Sequence, residues 1–218
     1  MINKKFVIQP LAVAALVLSA GTSNAAFINT FTSLASFNAG TVQQGTDLFD
    51  GLSITGSTPS PLPRGTQVGT VYSYTADATP AGTFFGGGTF ANPFLSTNIA
   101  TDTIILTAFS PAIRAIGGNF FGSDPFGAFT VGTMTIEVRD TLGATFTQTI
   151  TNAAQGGFLG VLSNGFIESL TITSVQPAVG FIWPSADNLV MAIPEPGTYA
   201  LMLAGLGLVG FMARRRRA

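Results

Sequence analysis

Between about residue 26 and residue 192, apolar side chains recurring at every second position dominate the readable segments, and no stretch shows the 3.6-residue spacing of an amphipathic helix. That period commits the body to strands, because alternate strand residues point to opposite faces of a sheet. Thr133-Met-Thr-Ile-Glu-Val-Arg139 is the clearest case, placing Met134, Ile136 and Val138 on one face. Asp140-Thr-Leu-Gly143 then turns the chain, and Ala144-Thr-Phe-Thr-Gln-Thr-Ile-Thr151 returns with Phe146 and Ile150 on the inner side. The two segments read as a β-hairpin. Thr103–Phe109 is a dense apolar strand ended by Ser110-Pro111, and Ala112–Phe121 follows it up to the turn residues Gly122-Ser-Asp-Pro125. Phe158–Leu162, Ile167–Thr173, Gly180–Trp183 and Asn188–Ala192 complete a series of short strands.

Earlier in the chain, Ala26–Phe37 holds a strand and a short helical turn, and Phe49-Asp50-Gly51 suits a strand end. Residues 38–100 carry no clear period. Short strands at regular spacing with Gly/Pro turns predict an all-β body, a single antiparallel β-sandwich of jelly-roll-like form spanning 26–192. No internal repeat or linker divides it, and its length suffices for one hydrophobic core.

The ends are of another kind. Lys4 and Lys5 precede the eight-residue apolar run Leu11–Leu18, and Ser23-Asn24-Ala25 offers the small residues a signal peptidase reads. This is a secretory signal helix over 1–25, cleaved after Ala25 or one residue later. A retained anchor is the weaker reading, since eight helical residues cover only about 12 Å of a hydrocarbon core roughly 30 Å thick.

At the other end the uncharged run Tyr199–Ala213, fifteen residues, predicts a short transmembrane helix of about 22 Å. Arg214, Arg215, Arg216 and Arg217 act as a membrane stop and keep that end cytoplasmic, so the body lies on the other side. Pro194 and Pro196 bar the helix from extending upstream and leave an extended, protease-accessible segment.

With these ends set aside, the body holds only Arg64, Arg114 and Arg139 against nine acids, a net charge of −6. An acidic body without lysine has no footprint for nucleic acid, which is excluded as a partner. Cysteine and histidine are both absent, which removes disulfides, Ser-His-Asp and Cys-His catalysis, and the usual zinc sites.

Pro194-Glu195-Pro196, the helix residues Ala204-Gly-Leu-Gly-Leu-Val-Gly210 and the terminal Arg214–Arg217 together resemble the PEP-CTERM sorting tail, here spanning 193–218. Some domain libraries label the same tail an ice-binding-protein C-terminal domain. The resemblance implies recognition by an exosortase, transient anchoring in the inner membrane, cleavage near 194–196, and delivery to the cell surface or matrix of an exopolysaccharide-producing bacterium. The body from Ile113 onward also resembles the jelly-roll passengers of such proteins, on Ile116-Gly-Gly-Asn-Phe120, Gly157-Phe-Leu-Gly-Val161, Ile167-Glu-Ser-Leu-Thr-Ile172 and Ala186-Asp-Asn-Leu189. Folds of that kind are similar to carbohydrate-binding modules.

Site candidates follow from residue chemistry. A structural calcium would use carboxylates, with Asp47, Asp50 and Asp187 as the candidates and turn capping as the competing role. Sugar binding would use aromatic platforms, for which Trp183, Tyr72 and Tyr74 are available, although Trp183 beside Phe181 also suits a core. Glu137 and Glu168 are the carboxylates on clear strands, and a glycosidase would need two such acids across a cleft. With Arg139 two residues from Glu137, solvent is the expected setting and no enzyme is expected. The threonines 145, 147, 149 and 151 form one exposed ladder, too little for a flat ice-binding array. The expected role is structural or adhesive, in an exopolysaccharide or biofilm matrix; a carbohydrate-binding module is the alternative, and a surface hydrolase or ice-binding protein ranks lower.

Overall fold

The computed structural model describes residues 28–194. The signal segment and Glu195 onward, including the expected terminal helices, lie outside the described residues, among which no helix is long and apolar enough to cross a membrane.

The chain opens with β1 (Ile28–Phe31) and one short helix, α1 (Leu34–Ala39). Ser33 caps that helix, its hydroxyl oxygen accepting the Ser36 amide at 3.2 Å. The less regular half then supplies β2 (Thr41–Asp47), β3 (Ser57–Pro59), β4 (Leu62–Gly65) and β5 (Val68–Gly69). It continues with β6 (Ser73–Thr79), β7 (Thr83–Thr89) and β8 (Asn92–Thr97). Longer strands follow: β9 (Thr103–Ser110), β10 (Ala115–Ser123), the two-residue β11 (Phe129–Thr130) and β12 (Gly132–Asp140). The last are β13 (Thr145–Ala153), β14 (Phe158–Ser163), β15 (Ile167–Val175) and β16 (Trp183–Pro194).

These strands build a jelly-roll-like sandwich of two antiparallel sheets. The larger is ordered β1-β14-β10-β16-β8-β7-β3, with β2 also on β16, β5 on β2 and β11 on β10. The smaller is ordered β13-β12-β15-β9-β6-β4. From β9 onward the chain mostly alternates between the sheets, and the expected β12–β13 hairpin is present, with Glu137 opposite Thr147. Inward residues at every second position close the core: Met134, Ile136 and Val138 of β12, and Ile104 and Leu106 of β9, are fully buried. Each such side chain contributes on the order of 1.5–3 kcal/mol by leaving water.

The expected strand Asn188–Ala192 proves to be part of a twelve-residue strand, β16, which begins at Trp183, whereas Gly180–Ile182 of the other expected segment lie outside it. The polar stretch between them disguises it. Ser185 is fully buried, and its hydroxyl lies 3.1 Å from that of Ser96 and 3.0 Å from that of Ser123. Satisfied in this way, a hydroxyl no longer penalises a buried strand.

Four register shifts accompany four non-glycine residues with positive φ, Gln43, Ala108, Asn152 and Asn188. Each marks a bulge, where one extra residue bends a strand and re-aims its side chains. On the outer face of the larger sheet, α1 packs Phe37 against Ala115, Val190 and Ala192, with Phe31 and Phe158 edge-on to its ring at 5.6 and 5.7 Å. Gly160 makes room for this contact, since a Cβ there would lie 2.5 Å from Phe37 Cδ2.

Candidate functional site

A cleft of about 780 Å³ crosses the outer face of the larger sheet. Its floor is formed by Thr46, Asn119, Phe158, Asn188 and Val190, from four adjacent strands. Leu34 from the start of α1, Leu48 beyond β2 and Val68 of β5 give it aliphatic walls. The floor is polar at its centre. Asn119 donates through Nδ2 to the Gly157 carbonyl at 3.0 Å and accepts at Oδ1 from Asn188 Nδ2 at 3.3 Å.

The bulge explains this arrangement. Asn119 pairs with Asp187 and Gly117 with Val190, so two residues of β16 face the single residue between them. Asn188 takes the extra position with φ 48°, a left-handed conformation that asparagine tolerates better than most residues. Asp187, beside it, is only 4% exposed. Its Oδ1 accepts the Asn188 amide at 2.7 Å. Burial pushes its carboxyl above the usual value, the amide hydrogen bond offsetting part of the effect.

The structure separates the three calcium candidates. Asp47 is fully buried between the sheets and already saturated: Arg64 donates through Nε at 3.0 Å and Nη2 at 2.5 Å, Tyr74 through its hydroxyl at 2.7 Å, and the Phe49 amide at 2.6 Å. Arg64 neutralises the charge a cation would have to meet, and its guanidinium also lies 5.3 Å from the Phe49 ring centre. Burial alone would lower the pKa of Arg64, but the hydrogen bond and charge of Asp47 outweigh it and the net shift is upward. Asp50 is exposed and offers Arg64 only its carbonyl, at 3.3 Å. Among the described residues no three acidic side chains converge on a metal position. Of the three, Asp47 is thus committed to an arginine.

Both tyrosine candidates lie in the interior. Tyr72 and Tyr74 are 1% and 3% exposed, so neither ring can stack on a sugar. Tyr72 donates to the Gln43 carbonyl at 2.8 Å, and burial raises the pKa of both phenols, that of Tyr74 well above the usual value. Trp183 lies half-buried at the start of β16, its Nε1 donating to the Asn98 carbonyl at 3.3 Å. Its ring meets that of Phe181 edge-on at 6.4 Å, and with Ile99 the two line a separate apolar hollow of about 210 Å³. Of the aromatic candidates, Trp183 alone reaches a surface.

Glu137 and Glu168 lie on the outer face of the smaller sheet, where Arg139 donates to Glu137 Oε1 at 2.8 Å; neither lines the cleft. That face holds more threonine than the ladder at 145–151. Thr149 pairs with Thr135, Thr135 with Thr173, and Thr79 with Thr103. The hydroxyls of Thr103 and Thr173 lie 3.3 Å apart, so one row crosses five strands.

Sequence reasoning missed the Asn119–Asn188 pair as a site, although both residues lie in the segments Ile116–Phe120 and Ala186–Leu189 singled out above. What was lacking was the register that lays one segment beside the other.

The family model described as the PEP-CTERM protein-sorting motif matches residues 192–217. No curated protein matches the chain. Among solved structures, the CBM22-1 xylan-binding domain of Paenibacillus barcinonensis Xyn10C aligns at 14% identity and a TM-score of 0.25, covering 70% of this chain and 94% of that one. The CBM22-1-CBM22-2 tandem domain of the same protein aligns at 15% identity and a TM-score of 0.25, covering 70% of this chain and 47% of that one. A TM-score of 0.25 is too low for either likeness to bear on what this chain binds. The C-terminal segment 192–217 is a PEP-CTERM sorting motif, which makes the chain an exported, exosortase-processed surface protein that passes through the membrane on its way.

Proposed function

We propose that this protein is a non-catalytic, adhesive component of an extracellular polysaccharide or biofilm matrix that holds glycan chains in the cleft over Asn119 and Asn188. In this reading signal peptidase removes 1–25, an exosortase cuts near Pro194-Glu195-Pro196, and the released sandwich of 26–192 meets polysaccharide. The observation that carries it is the cleft floor, where paired amide side chains lie between aliphatic walls. Sugars present alternating hydroxyl and C–H surfaces, and a site of this composition serves both. An acidic body suits neutral glycans better than uronate-rich ones.

The test is retention of the protein recovered from culture medium on the producing cell's own exopolysaccharide. Asn119→Ala and Asn188→Ala should each weaken retention about tenfold, the effect of losing roughly 1.4 kcal/mol of hydrogen bonding. Absence of retention by the unaltered protein would sink the reading. Unchanged retention in both asparagine variants, with loss in Trp183→Ala, would move the site to the hollow beside Phe181.

A further inference from the structure

The two ends of the described body leave it at the same pole. Ile28 pairs with Ser163, Leu162 with Ala115, and Ala115 with Ala192, so four neighbouring strands begin or end side by side. The sorting motif is continuous with this pole. Its first matched residues, Ala192, Ile193 and Pro194, are the last residues of β16, and Pro194 still pairs with Thr41. From Pro194 to the start of the apolar run at Tyr199 is five Cα steps, a reach of at most about 18 Å. The twelve residues of β16 extend roughly 40 Å in the opposite direction. A chain held by its tail therefore cannot turn its far pole, with Phe181 and Val179, onto the membrane.

The near pole carries a fixed apolar platform. Leu142, in the β12–β13 turn, and Phe166, in the β14–β15 loop, are 45% and 42% exposed. The two loops are locked together: the Thr141 amide donates to the Phe166 carbonyl at 2.9 Å, and the Phe166 amide to Thr141 Oγ1 at 3.0 Å. The guanidinium of Arg114 lies 4.8 Å from the Phe166 ring centre, keeping a cation beside the apolar pair. Of the carboxylates at this pole, Glu168 is exposed on the outer face of the smaller sheet, whereas that of the β12–β13 turn is drawn inward. Asp140 is 1% exposed and takes the Leu142 and Ala144 amides at 2.9 and 2.8 Å, together with the Ser163 hydroxyl. Exposed Leu and Phe beside an arginine, with the acid of their own turn buried, is chemistry suited to a lipid headgroup boundary.

We propose that, while the tail is retained, the pole formed by Leu142, Phe166 and Arg114 rests on the lipid surface, and that tail cleavage releases it. This rests on the tail being held in the membrane, independently of what the cleft binds. The chain has no cysteine, so single labelling sites can be introduced without background. Full-length protein is reconstituted into phosphatidylethanolamine–phosphatidylglycerol vesicles containing a headgroup nitroxide lipid, with a fluorophore placed through Thr145→Cys, exposed at the end of the same turn, or Val179→Cys. Quenching at 145 and none at 179 is expected, with loss of quenching at 145 when Leu142→Ser and Phe166→Ser are combined. Quenching at 179, none at 145, or a double variant quenched as before would each overturn the proposal. Flotation of the vesicles separates the two levels of failure. Protein that does not float lacks the tether and removes the premise, whereas protein that floats unquenched at 145 refutes the docking alone.

Discussion

Arg64 grips the carboxylate of Asp47 with Nε on one oxygen and Nη2 on the other, joining β4 of the smaller sheet to β2 of the larger across the interior. With the arginine side chain 10% exposed and that of Asp47 at 0%, the pair is screened very little. Removing one member leaves the other charged and buried, which costs about 3–5 kcal/mol, whereas replacing both with apolar residues of similar size is close to neutral. Asp47→Ala and Arg64→Ala should each lower the urea midpoint by an amount of that order. The double substitution Asp47→Leu with Arg64→Met should recover most of the loss.

Tyr74 gives the body an alkaline limit. Burial first, and then the charge and hydrogen bond of Asp47, raise its pKa well above 10.0, with Arg64 opposing. A raised folded-state value means that the stability it contributes is complete below pH 10.0 and is lost as pH rises toward the folded value. The unfolding midpoint should hold through neutrality and decline above that point. Tyr74→Phe should flatten the decline while lowering the plateau by about 1–2 kcal/mol, because Asp47 Oδ2 loses a donor. Urea titrations across the alkaline range read both effects.

Asp187 works in the opposite sense at neutral pH. Its carboxyl is raised by burial, so the stability linked to its proton is present below 3.8 and is lost as pH rises through the folded value. Asp187→Asn removes the buried charge and leaves an oxygen to accept the Asn188 amide. The variant should melt at a higher temperature than the unaltered protein at pH 7, with the gap closing in acid. A lower melting temperature at pH 7 would mean that the carboxylate has a stabilising partner.

The buried hydroxyls of Ser96, Ser123 and Ser185 act as one unit. Ser185→Ala leaves the other two still 2.9 Å apart and should cost about 1 kcal/mol. Alanine at all three positions should cost clearly less than the sum of the single changes, since no hydroxyl is left stranded. Denaturant midpoints of the seven variants provide the comparison.

Legibility in the sequence followed the strength of alternation. Met134, Ile136 and Val138 alternate with polar residues on a half-buried strand, and their inward direction could be read directly. β2 could not be read, because Thr41-Val-Gln-Gln-Gly-Thr-Asp47 is mostly polar and its buried positions are filled by Thr41, Gly45 and Asp47. The burial of Asp47 in particular depends on Arg64, seventeen positions away, which no local window reveals. The burial of the tyrosines was not legible for a related reason: a phenol is as acceptable inside as outside once its hydroxyl has an acceptor, and Gln43 and Asp47 provide one each. The cleft required a register, since Asn119 and Asn188 are 69 residues apart.

A body whose first and last strands emerge at the same pole behaves as a cassette. Lengthening or exchanging either flank moves nothing inside the sandwich, since Ile28 and Pro194 already open toward the same side. For the same reason a short bridge between those two positions, combined with new ends cut at the exposed turn around Gly143, should yield a circular permutant with the same two sheets. The address carried at either end is thus separable from the architecture it delivers.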